Sequence, residues 1–204
     1  MVWTKTKRAM VVGACILLVA EAVIITYYKL NQPVTGIPKH WTVLDGENEQ
    51  WNSADGKILG HTTTFESILA SDKEYHNATV SAIAGSTNRE ASLAIRMQDA
   101  KNGYIVIFAP AGTPRGDAGH IAIVKRLDGN ETTLGYYQGR VFSYMGQFAK
   151  ITAVVQGPLI EIHLNDVRVL RVTDSTFTAG LIGLRIYGDP DSPCDAVYSN
   201  LTFP

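Results

Sequence analysis

Cysteine is nearly absent: Cys15 and Cys194 are the only two in 204 residues. Cys15 sits in an apolar segment near the N-terminus and Cys194 close to the C-terminus, so they occupy different environments and no disulfide framework holds the chain. Cys194 has no Cys or His at ligand spacing and reads as an inert thiol rather than a nucleophile or metal ligand. Charge is scarce too: 18% of residues are Asp, Glu, Lys or Arg and 46% are apolar, too hydrophobic a balance for disorder. Removing Lys5, Lys7, Arg8 and Lys29 from 18 bases and Glu21 from 19 acids leaves 14 against 18 from Asn31 onward, a net charge of -4. A mildly acidic domain with scattered Lys and Arg excludes nucleic acid as a partner, because phosphate recognition needs clustered bases. His61, His76, His120 and His163 lie far apart in sequence and none stands at metal-ligand spacing from another.

The N-terminus carries a targeting pattern. Residues 1–8 supply Lys5, Lys7 and Arg8, residues 9–28 form an apolar run broken by Glu21 and ending at Tyr27-Tyr28, and residues 29–40 contain the extended linker NQPVTGIPKH. Two readings stand. In one, a signal peptide is cut at the small-x-small site around Glu21, near Ala22, and the domain is secreted. In the other, which the continuing hydrophobicity of VIITYY favours, the segment is a single membrane-spanning helix. Bases ahead of the span keep the N-terminus in the cytoplasm, so both readings place the domain 41–204 outside it. The run before Cys15 is too short, and that after it too long, for a lipid-modified cysteine.

From Trp41 onward apolar residues recur at every second position in runs of five to eight, bounded by Gly, Asn, Asp and Pro. Strands are expected at TFESIL, ATVSAIA, ASLAIRMQ, YIVIFAP, HIAIVKRL, TTLGYYQ, AKITAVVQ, IEIHL, VRVLRV, AGLIGLRIYG and AVYSNLTF. Pairing Gln98 with Tyr104 would set Met97 opposite Ile105 and Ile95 opposite Ile107, leaving Arg96, Gln98, Tyr104 and Phe108 on the other face. A two-residue turn at Asn165-Asp166 would pair Leu164 with Val167 and Ile162 with Val169 as a core face, with Glu161, His163 and Arg168 opposite. In the run from Gly180, Ile182, Leu184 and Ile186 share one face and Leu181, Gly183, Arg185 and Tyr187 the other. About a dozen short strands predict an all-β, two-sheet antiparallel jelly-roll sandwich preceded by one hydrophobic helix.

Three stretches carry a resemblance: WTVLDGENEQW running into ILASDKEYHNATVSAIAG, REASLAIRMQDAKNGYIVIF, and ITAVVQGPLIEIHLNDVRVLRVTDSTFTAGLIGLRIYGDP with its closing DAVYSNLTF. Their order resembles the concanavalin A-like jelly rolls, which include laminin-G-like domains, legume lectins and many glycan-active modules. Within that superfamily the chain is most similar to the 3-keto-disaccharide hydrolases, through Arg96, Gly103-Tyr104 and Gly180 to Leu184. It departs from them in lacking a carboxylate in ATVSAIAG and YIVIFAP and in lacking their N-G-x-x-L-x-x-W opening, so their chemistry does not carry over with the fold. It also lacks the E-x-D-x-x-E strand on which retaining glycosidases of this fold pair their carboxylates, and Glu161 and Asp166 do not converge in its place. No cofactor is implied. The superfamily allows a structural calcium, for which Asp45, Asp174 and Asp195 are the oxygen donors at hand.

The expectation is an exported, membrane-tethered module that binds carbohydrate on the sheet face opposite the core. Arg96, Gln98, Tyr104, Arg185 and Tyr187 are the expected contacts, with Tyr136 and Tyr137 in a further strand. Glycoside hydrolysis of the keto-disaccharide type and a non-catalytic adhesion or scaffold role are the alternatives. Sequons at Asn77, Asn130 and Asn200 fit an exported surface.

Overall fold

A computed structural model describes residues 40–47, 50–87, 89–109, 119–139 and 148–203. The expected N-terminal helix, signal site and Cys15 lie outside these residues. Among the described residues no helix is long and apolar enough to cross a membrane.

Among the described residues fourteen strands follow one another: β1 Trp41–Asp45, β2 Trp51–Ala54, β3 Lys57–Thr62, β4 Glu66–Tyr75, β5 Ala78–Ser86, β6 Glu90–Asp99 and β7 Asn102–Ala109, then β8 His120–Leu127, β9 Asn130–Tyr137, β10 Ala149–Gln156, β11 Leu159–Leu164, β12 Val167–Thr173, β13 Gly180–Tyr187 and β14 Cys194–Thr202. They form two seven-stranded sheets, in the orders β1-β4-β13-β6-β7-β8-β9 and β12-β11-β10-β5-β14-β3-β2. Alternation decides which side chains enter the space between them. Leu69, Leu93, Val106, Ile123 and Leu184 of the first sheet meet Val80, Ala82, Ile151, Ile160 and Tyr198 of the second in one buried cluster. The expected face of Ile182, Leu184 and Ile186 lies in that core.

A second apolar cluster occupies the opposite, outer face of the first sheet. Ile68, Ala94, Met97 and Ile105 are all fully buried there, with Leu44, Ile107 and Leu181 packed against them.

Two registers differ from expectation. Between β6 and β7, Ile95 pairs with Tyr104 and Asp99 with Asn102, so Arg96, Met97 and Gln98 together face the single residue Gly103. This bulge turns Tyr104 and Phe108 into the main core and Ile105 and Met97 to the outer cluster, the reverse of the simple alternation. Arg96 adopts a φ of 51°, and its crowded backbone is flanked by two glycines at φ 150°, Gly103 and Gly180. A Cβ on Gly103 would stand 2.9 Å from Met97 Cα, and one on Gly180 would stand 2.5 Å from the Arg96 carbonyl carbon. The Arg, Gly-Tyr and Gly-x-Ile-Gly-Leu residues behind the family resemblance therefore meet in space as one bulge and the two glycines that admit it. In the second hairpin Leu164 does pair with Val167, but a bulge moves Ile162 opposite Leu170 rather than Val169. Val167 is 65% exposed instead of in the core, because it begins the edge strand at the hairpin tip. The expected polar face does form, with Arg168 donating to Glu161 at 3.0 Å. β1, β2 and β3 were not anticipated as separate strands; they are short, and β2 and β3 carry no run of alternating apolar residues.

Candidate functional site

Arg185 is the outward-facing side chain in the middle of β13, opposite Ile68 on β4 and Ser92 on β6. Its Nε donates to Glu66 Oε2 at 2.5 Å and its Nη1 to Glu90 Oε2 at 2.8 Å. Arg126, outward-facing on β8, donates through Nη1 to Glu66 Oε1 at 2.6 Å, through Nη2 to Glu66 Oε2 at 2.9 Å, and also to Glu131 at 2.5 Å. Between β8 and β4 lie β7, β6 and β13. Four strand spacings on a flat sheet would be roughly 19 Å, farther than an Arg and a Glu can reach together, so this face of the sheet is concave. The apolar cluster of Ile68, Ala94 and Ile105 belongs to that same face.

Beside the ion pairs opens a cavity of about 660 Å³, lined by Asp45, Phe65, Glu66, Glu90, Arg126, Glu131, Arg185, Tyr187 and Ile107, with Gly46 and Thr64 at its edge. That volume is ordinary for a small-ligand site. The Tyr187 ring stands 5.0 Å from the Arg185 guanidinium, a cation–π contact that fixes the ring. Phe65 is 65% exposed at the rim. Burial alone would raise the Glu66 carboxyl, but the hydrogen bonds and charges of Arg126 and Arg185 outweigh it and bring the group from 4.5 down to about 2. Asp45 moves the other way, raised by burial and by the Glu66 charge.

The five expected contact residues divide between two places. Arg185 and Tyr187 line this cavity. Arg96, Gln98 and Tyr104 meet instead at the loop joining β12 to β13. Arg96 is 3% exposed and donates to the backbone carbonyls of Phe177 at 2.8 Å, His76 at 2.6 Å and Gly157 at 2.7 Å. Gln98 donates to Ala179 O at 2.5 Å. Tyr104 is fully buried, donates to Asp174 Oδ1 at 2.7 Å and accepts from the Phe177 amide at 3.1 Å. Lys125 completes this clamp, with Nζ 2.8 Å from Asp174 Oδ2. Tyr136 stands on the outer face of the edge strand β9, stacked on His120, while Tyr137 packs on the core.

Glu66, Glu90, Arg126 and Glu131 were not singled out from the sequence. Alternation along β8 puts Arg126 on the outer face with Ala122 and Val124, but its partner Glu66 is 60 residues away and only the strand order brings them together. The aspartates considered for calcium are separated: Asp45 at the cavity, Asp174 in the clamp, Asp195 at 2.6 Å from His61 Nδ1. Among the described residues no group of three His, Cys, Asp or Glu is placed to hold a metal ion. Glu161 engages Arg168 and Arg171 while Asp166 engages Lys150, so these two acids stay apart as expected.

No family model matches the chain, and no curated protein sequence is similar to it at a significant level. Solved structures are similar in fold. The carbohydrate-binding module CBM66 from Bacillus subtilis superposes with a TM-score of 0.65 at 20% identity, covering 84% of this chain and 99% of that one. A putative glycosyl hydrolase from Parabacteroides distasonis gives 0.57 at 15% identity, over 81% and 99% of the two chains. A prokaryotic β-1,3-1,4-glucanase (lichenase) derived from a mouse hindgut metagenome gives 0.60 at 12% identity, over 82% and 94%. With the two antiparallel sheets, these likenesses show the fold, a two-sheet jelly-roll sandwich.

Proposed function

We propose that the domain is a carbohydrate-binding module that takes a neutral sugar ring into the cavity at Glu90, Arg185 and Tyr187, and that the N-terminal apolar segment tethers it outside the cytoplasm. The observation that carries this reading is the polar network fixed on the concave face. Carboxylates from Asp45, Glu66, Glu90 and Glu131 line one cavity with the guanidiniums of Arg126 and Arg185. Carboxylate oxygens accept from sugar hydroxyls and the Arg185 guanidinium donates to them, while the five N–H groups of Arg126 are already taken by Glu66, Glu131 and the Ala100 carbonyl, so Arg126 serves to fix the carboxylates. Because the ion pairs already hold these groups, binding loses little side-chain freedom. Four carboxylates against two guanidiniums disfavour uronates and sulfated sugars and suit neutral ones. The fold likeness to a carbohydrate-binding module supports the assignment.

One observation favours glycoside hydrolysis as a second reading: Asp45 is raised and Glu66 lowered in the same cavity, an acid beside an ionised carboxylate. Both Glu66 oxygens are held by arginines, which makes it a poor nucleophile, so binding ranks first. An adhesion or scaffold role comes third, since it needs no such cavity. The test is a glycan array probed with the full chain, with and without calcium, followed by a turnover assay on each bound glycan. The expected result is retention of neutral glycans, independent of calcium and without turnover. Turnover abolished by Asp45→Asn would promote the hydrolase, and silence across the array would overturn the binding reading.

A further inference from the structure

The concave face continues beyond the cavity toward the edge strand. Ile107, which lines the cavity, pairs with Ala122 on β8, and Ala122 pairs with Tyr136 on β9. Residues directly opposite in antiparallel strands share a face, so Ile107, Ala122 and Tyr136 form one outward row. His120, two residues before Ala122, points the same way, and its ring stacks on Tyr136 with centroids 5.1 Å apart and 27° between the planes. Tyr136 is 53% exposed, one of the few large aromatic side chains so open to solvent among the described residues. Two strand spacings, roughly 10 Å, separate it from the cavity floor, and the side chain between them is only a methyl group. The row thus runs along the outer face from the polar cavity to an aromatic ring on which His120 stacks, with Ala122, 4% exposed, between them.

We propose that the His120–Tyr136 pair is a second sugar subsite, which stacks the apolar face of a ring further along a neutral oligosaccharide whose terminal unit occupies the Glu90–Arg185–Tyr187 cavity. This rests on the binding reading and extends it from a single ring to a chain. Stacking on a pre-fixed aromatic ring contributes affinity without needing a particular hydroxyl pattern. Tyr136→Phe should therefore retain it and Tyr136→Ala should not.

The experiment uses the full chain and immobilised neutral series of β-glucan, α-glucan, xylan, mannan and fructan oligosaccharides, one to six rings each. Wild-type protein is expected to bind at least one series with affinity that rises over the second to fourth rings. Tyr136→Ala should lose about three- to tenfold on the longer members, with the loss growing with length, and Tyr136→Phe should restore it. Melting temperatures of both variants check the fold, which this exposed position should not disturb. Wild-type affinity that is flat with length, or a Tyr136→Ala variant with the wild-type length dependence, overturns the second subsite while short-chain binding keeps the cavity reading intact. Absence of binding to every series overturns both.

Discussion

Replacing Glu66 by Gln removes one negative charge from between two guanidiniums while keeping the side chain's size. The Glu66 carboxyl falls from its ordinary 4.5 to about 2 in the folded protein. A tenfold change in proton affinity is worth about 1.4 kcal/mol, so the ionised carboxylate contributes about 3 kcal/mol at pH 7. The Glu66 side chain is only 14% exposed and Arg126 and Arg185 only 7% and 4%, so solvent screening takes little from this figure. Because the folded-state value is the lower one, the stabilisation is complete above pH 4.5 and drains away as pH falls toward 2. Urea unfolding of wild type and Glu66→Gln should differ by about 3 kcal/mol at pH 7 and by about 1 kcal/mol at pH 2.5. A difference below about 1 kcal/mol at pH 7, or one that stays constant down to pH 2.5, would refute the claim that Glu66 ties β4 to β8 and β13 through its charge.

Three further outcomes follow from the packing. Arg96→Ala leaves three carbonyls without their donor and should lower stability by about 3 kcal/mol, which for a domain of this size is a melting temperature roughly 10 °C lower by calorimetry. Gly183→Ala would place a Cβ 2.5 Å from the Leu69 carbonyl oxygen, and backbone cannot yield as a side chain does, so denaturation should show a loss of about 2 kcal/mol. Cys194 is fully buried and its thiol is pushed up to about 12, chiefly by burial. Its reaction with a disulfide reagent at pH 8 should therefore proceed only at the rate of unfolding.

How much of this was legible in the sequence depended on whether the controlling interaction was local. β8 and β10 carry unbroken alternation, HIAIVKRL and AKITAVVQ, and coincide with the expected strands to the residue. The face of Ile182, Leu184 and Ile186 was readable for the same reason. The β6–β7 register was not, because a three-residue bulge at Arg96 depends on Gly180, 84 positions later, leaving room beside it. The same distance effect governed the site. Arg185 and Tyr187 were expected on the outer face because alternation on β13 sends them away from the core, and both line the cavity. Arg96, Gln98 and Tyr104 share with them the look of polar groups on a sheet, but the β12–β13 loop holds Gln98 and Tyr104, and that loop together with the β4–β5 and β10–β11 turns holds Arg96. Glu66 and Arg126 gained their meaning only from a strand order in which three other strands lie between them.

The most direct test of the binding assignment is a calorimetric titration of the full chain with the best-retained neutral oligosaccharide, comparing wild type with Tyr187→Ala, Glu90→Gln and Tyr104→Phe. The account predicts that the first two variants weaken binding by about tenfold or more, whereas Tyr104→Phe, at the loop clamp, binds as wild type does. Wild-type affinity in Tyr187→Ala and Glu90→Gln together with loss in Tyr104→Phe would contradict it and move the site to the opposite end of the sheet.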